Sequence, residues 1–129
     1  MERDFEFRKI MQQRTKQFAL SSIKLFQALP ATGEARVIGN QFLRAATSVG
    51  ANYRTACRAC SSKEFYSKLS IVIEETDESM FWIEILGESG IVKMILLQDM
   101  LNEADEIIKI LVAARKTINR NSTNSKLKN

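Results

Sequence analysis

Cys57 and Cys60 are separated by two residues, the spacing of a thiol–disulfide redox pair. Such pairs work at a helix N-terminus, where the helix dipole lowers the thiol pKa. Here the hydrophobic pattern puts the pair at the C-terminal end of a helix, which raises it, so both are read as small residues of the interior or its edge. Glu74, Glu75, Asp77 and Glu78 form a second cluster, with Glu74 and Glu78 one helical turn apart. Carboxylates so placed could hold a divalent cation or share acid–base work. The chain, however, has no histidine. That removes Ser-His and Cys-His nucleophile pairs, His-ligated zinc or haem, and the Glu-x-x-His motif of di-iron bundles. The acidic cluster is therefore read as a solvated or salt-bridged face. Asp77, between Ile73 and Met80 on a partly apolar line, needs an arginine or Asn52 as partner if it is buried. No catalytic residue, cofactor or metal ligand is assigned, and the chain is expected not to be an enzyme.

The basic residues are better organised. Residues 1–60 carry ten Lys and Arg against four Asp and Glu, a balance of +6; residues 61–105 stand at −7 and residues 106–129 at +5, for a net +4. At about 100° per residue, Arg36, Arg44, Arg54 and Arg58 share an arc of about 80°. Lys109, Lys116 and Arg120 share about 40° of another helix, and Lys9, Lys16 and Lys24 about 80° of a third. Three such stripes exceed what one acidic helix neutralises by pairing with one neighbour. They suit phosphate-backbone contact, with affinity from counterion release and little base specificity. No helix-turn-helix signature or RNA-recognition sequence accompanies them. Membrane-surface attachment is not expected, because the apolar residues are committed to a core.

The elements that hold these residues are helical. The chain has 129 residues, 45% hydrophobic, with five glycines and one proline, enough for one core and too few turn residues for an all-β fold. Met11, Phe18 and Leu25 recur at heptad spacing in a first helix over 5–29, stopped by Pro30. Thr32 is the expected N-cap of a second helix, 34–60. That helix has two stripes, one through Ile38, Phe42, Ala45 and Val49 and the other through Gly39, Ala46, Gly50 and Tyr53. Two stripes imply burial on two sides, one against its own bundle and one against a second subunit, with Gly39, Ala46 and Gly50 admitting a close helix. Ser61-Ser62-Lys63-Glu64 reads as a capping box for a third helix, ended by Gly87 and Gly90. Met80-Phe81-Trp82-Ile83 is apolar right round that helix, so Phe81 and Trp82 are expected to meet something beyond their own core. A fourth helix is placed over 93–118. The expected fold is all-α, an antiparallel up-down-up-down four-helix bundle over 1–118, with a polar, disordered tail over 119–129. The opening MERDFEFRK does not read as a signal peptide and no apolar run spans a bilayer, so a cytoplasmic protein is expected.

The stretch from Gly39 to Arg54, GNQFLRAATSVGANYR, resembles the signature of the bacterial 23S rRNA intervening-sequence proteins. Ile23–Pro30, Ser62–Leu69 and Glu74–Leu86 match the same family in order, so the resemblance covers most of residues 10–118. One departure is Thr76, where the family more often has alanine. The resemblance implies a four-helix bundle assembled as a homopentamer. The family name records a genomic location, not an activity, and no catalytic residues come with it. A looser likeness is to the accessory variability determinant of diversity-generating retroelements, a basic pentamer that binds nucleic acid and a reverse transcriptase. The expectation is thus a non-enzymatic homo-oligomer that binds RNA or DNA through Arg36, Arg44, Arg54, Arg58, Lys109, Lys116 and Arg120. Gly39, Ala46, Gly50, Tyr53, Phe81 and Trp82 are the expected subunit contacts. A protein partner such as a reverse transcriptase is a further possibility, and a protein–protein adaptor with no nucleic-acid role is the alternative.

Overall fold

The computed structural model describes the backbone of residues 2–128 and the side chains of residues 3–121. Its elements are α1 (Glu2–Gln27), α2 (Gly33–Cys57), α3 (Ser62–Glu88) and α4 (Met94–Lys128), with no strand among the described residues. Local chemistry sets most of the boundaries. Thr32, in extended backbone, accepts a hydrogen bond from the Ala35 amide at 3.3 Å, and Glu34 sits in the first turn of α2 at the positive end of its dipole. Ser61 accepts from the Glu64 amide at 3.1 Å, while the Glu64 carboxylate accepts from the amide of Cys60 at 3.2 Å. The capping box forms, with its return arm one residue ahead of the cap. α2 stops at Cys57 rather than 60, because the amides of Arg58 and Ala59 turn back onto Thr55 and Ala56. Gly90, at φ 80°, turns the chain from α3 toward α4. Gly87, expected to help end α3, lies inside it, and the Met94 side chain fills the place of its missing Cβ. α4 continues past the expected boundary at 118, and the side chains of the expected tail from 122 onward lie outside those described.

Cross-helix contacts give the direction of each helix. Gly39 faces Phe26 and Leu29 while Gly50 faces Thr15 and Lys16, so rising numbers in α2 meet falling numbers in α1. Gly87 faces Met94 and Leu97 while Ser70 meets Arg115, so α4 returns along α3 in the same sense. The helices form an up-down-up-down bundle, in which α2 packs on both α1 and α3 while α1 and α4 meet only sparingly. Its interior holds Met11 and Phe18 of α1, Phe42, Val49 and Tyr53 of α2, Leu69, Val72 and Ile83 of α3, and Leu97, Ile107 and Leu111 of α4. No helix among the described residues is long and apolar enough to cross a membrane.

The position of α2 corrects one expectation. Both of its apolar stripes are covered within the chain, one by α1 and the other by α3. Gly39, Ala46 and Tyr53 are wholly buried there, so they have no surface left for a second subunit. The close approach that the glycines allow is made by α1. A Cβ at Gly50 would lie 3.1 Å from the Thr15 carbonyl oxygen and 3.5 Å from Lys16 Cα, which makes this point a near contact of two backbones. Of the expected contact set only Phe81 is exposed, at 50%, with its ring edge-on to Trp82 at 4.9 Å. Trp82 is half-buried, and its indole N–H is buried with no partner among the described residues.

Candidate functional site

The outer seam between α1 and α2 forms a groove of about 810 Å³. Arg8, Lys9 and Lys16 stand on the α1 wall and Arg54 on the α2 wall, while Gly50 and Ala51, with little side chain, leave the space between them open. The electrostatics follow from the sequence. Between Glu6 and Glu64 the chain holds a single carboxylate, Glu34, against ten lysines and arginines. Glu34 occupies the first turn of α2, far along that helix from Arg54.

Ion pairing sorts these cations by the side of the helix they occupy. Arg14, on the flank of α1 turned toward α4, makes two hydrogen bonds to Glu103, at 2.5 and 3.1 Å, and a second ion pair with Glu106 at 3.1 Å. The Glu103 bonds raise its pKa above the ordinary value. Arg44, on the flank of α2 turned toward α3, pairs with Glu75 at 3.3 Å and with Glu78. The acidic cluster is therefore partly a salt-bridged face, and Asp77 is exposed and makes no demand for a buried partner. Lys9, Lys16 and Arg54 have no ion pair among the described residues. Arg8 lies over the Phe65 ring at 4.9 Å, an arrangement that fixes the guanidinium without cancelling its charge. The acids of α3 and α4 thus neutralise the flanks of the α1–α2 pair and leave its outer seam positive.

The seven basic residues singled out from spacing do not form one patch. Arg54 lies in the groove. Arg44 is occupied by Glu75 and Glu78, and Lys109 by Asp105 at 2.7 Å, one turn earlier on the same helix. Arg36 is exposed in the first turn of α2 and Arg58 at its C-cap. Lys116 and Arg120 are exposed on α4, which does not line the groove. Spacing does not single out Arg8, which lies about 100° from Lys9 and outside the Lys9–Lys16–Lys24 arc on the same helix. The signal that marks the seam is the near absence of carboxylates from Glu6 to Glu64.

Cys57 borders the groove half-buried and Cys60 is exposed, both as free thiols. No group of acidic or thiol side chains that could hold a metal ion occurs among the described residues. Behind Cys57, Tyr53 is wholly buried and its hydroxyl has no hydrogen-bond partner among the described residues. Burial pushes the phenol well above its ordinary 10.0, and the neighbouring Cys57 adds to the effect. Below that pH both folded and unfolded chains keep the proton. Above it only the unfolded chain releases it, so stability from this group is intact below pH 10 and falls as pH rises. Tyr53→Phe removes the orphaned hydroxyl and is expected to stabilise the chain by about 1 kcal/mol. In thermal melts the gain should widen above about pH 10; a variant that melts lower than wild type at neutral pH contradicts it.

No curated protein matches this chain. A 1.70 Å crystal structure of a protein of unknown function from Bacteroides thetaiotaomicron VPI-5482, described as a member of the S23 ribosomal protein family, superposes with a TM-score of 0.77. The two are 30% identical, over 82% of this chain and 98% of that one. The fold and the spacing of its signature agree with a family match that runs from residue 8 to residue 113, from the first groove arginine to the middle of α4, and the chain belongs to the 23S rRNA-intervening sequence protein family.

Proposed function

We propose that this chain is a non-enzymatic, self-associating scaffold of the cytoplasm that binds nucleic acid along the α1–α2 groove. The observation that carries the reading is the sorting of charge. Cations on the flanks of α1 and α2 are held by carboxylates of α3 and α4, whereas Arg8, Lys9, Lys16 and Arg54 face one groove without them. Cations left unpaired on one seam suit a ligand that is itself a row of anions. Self-association, as the homopentamer that the family resemblance implies, is supported by the large apolar side chains left in water away from the groove: Phe81 on α3, and Ile95 and Leu96 in the first turn of α4. The same residues favour the second reading, an adaptor for another protein. Competition by unrelated nucleic acid separates the two, because a protein contact through apolar residues would survive it.

The direct test is anisotropy of a labelled RNA across a salt series, with the mass of the protein assembly recorded in parallel. Four phosphate contacts per groove predict that log K falls linearly with log salt, with a slope between about −2.8 and −3.6 for each groove engaged. Absence of binding at low salt, with the helices intact, would overturn the proposal.

A further inference from the structure

We propose that the groove admits one polynucleotide strand, with a base stacked on Phe5, and does not admit a duplex; this rests on the nucleic-acid reading above. The groove is a seam between helices in near-backbone contact at Gly50 and Thr15, and helices packed so closely have axes about 8–10 Å apart. Its 810 Å³ belongs to a groove open along one side, so a strand lying in it keeps one face in water. A duplex keeps its bases stacked inside and would touch only the rim.

Phe5 carries the argument further. It lines the groove, yet 69% of its surface stands in water, and it belongs to no part of the core. An aromatic ring beside Arg8, Lys9 and Arg54 is the pairing that single-strand sites use: cations follow the backbone while a ring takes the face of a base. Gln12 and Gln13 add amide side chains to the same wall, with no hydrogen bond to other side chains among the described residues. They can meet base edges that are free in a single strand and closed by pairing in a duplex. Phosphates and base faces are common to RNA and DNA strands, so both share the chemistry that the cations and Phe5 meet.

The test measures affinity of the full chain at low salt for three labelled probes: an unstructured 15-residue RNA, the DNA of the same sequence, and its DNA duplex. Both single strands are expected to bind at least tenfold more tightly than the duplex. Phe5→Ala should weaken the single strands by about fivefold or more, the size of one base–aromatic stack, and leave duplex binding unchanged. Phe5 is exposed, so the variant keeps its fold, which circular dichroism checks. Phe5→Trp should restore affinity and add an indole whose fluorescence is quenched by a single strand, with Trp82 of the wild type as background. Equal or tighter duplex binding, or a Phe5→Ala variant that binds single strands as well as wild type, overturns the single-strand site while nucleic-acid binding stands. No binding of any probe overturns both.

Discussion

A chain carrying Lys16→Glu and Arg54→Glu is expected to lose about a hundredfold in affinity for nucleic acid at low salt, and to keep its helix content with a melting temperature lowered by no more than about 5 °C. The two residues stand on opposite walls of the groove, both are exposed, and neither has an ion pair among the described residues. Their removal breaks no ion pair; Arg54 complements the dipole in the last turn of α2, so its reversal costs about 1 kcal/mol or less. The reversal withdraws two of four phosphate contacts and sets two carboxylates where phosphates would lie. A hydrogen bond to a charged group contributes about 1.5–3 kcal/mol, so the loss of two contacts accounts for roughly two orders of magnitude or more. The salt slope should shrink by about 1.4–1.8. The comparison variant is Lys109→Glu with Lys116→Glu, which changes the net charge equally but lies on α4 away from the groove. Its expected effect is a small, general weakening. If this α4 variant abolishes binding and the groove variant does not, the site belongs to α4 and the groove assignment is wrong.

The helices and their ends were legible in the chain because the signals are local. A proline, two capping side chains and a glycine at positive φ act through their own backbone, whatever the rest of the molecule does. The two stripes of α2 were equally plain, but spacing reports only that a face is buried and is silent about what buries it. Gly39 and Gly50 illustrate the point: their size announces a close neighbour, and within the chain that neighbour is α1. The charges show the same limit. Arg44 and Arg54 share an arc on one helix, yet Arg44 leans toward α3 and finds Glu75 and Glu78, while Arg54 faces α1, whose seam offers no carboxylate. A stripe on a single helix is half of a surface, and the other half is settled by topology. Tyr53 lies further beyond sequence reasoning, since nothing in its spacing tells that its buried hydroxyl has no hydrogen-bond partner among the described residues.

Phe42→Ala is expected to be the most damaging single truncation, at about 3–5 kcal/mol. Phe42 is wholly buried in the core on α2, the helix that packs on both α1 and α3, so the space left by its ring opens inside the bundle. Collapse into that space is opposed from two directions. The close contact of Gly50 with the Thr15 backbone holds α1 in place, and the Arg44 pairs with Glu75 and Glu78 tie α3 to the same helix. A loss of this size is a large share of the roughly 5–15 kcal/mol that keeps a domain folded. For a chain of this length each kcal/mol moves the melting temperature by about 3–5 °C, which predicts a fall of some 10–20 °C. Val37→Ala is the control on the same helix: Val37 is 65% exposed, and its truncation should stay within about 0.5 kcal/mol. Both melts need a fixed protomer concentration, since the proposed self-association would contribute to apparent stability. A Phe42→Ala loss below about 1 kcal/mol would mean that α2 is not the helix around which the bundle packs. The groove, whose α2 wall depends on that packing, would then lose its structural basis as well.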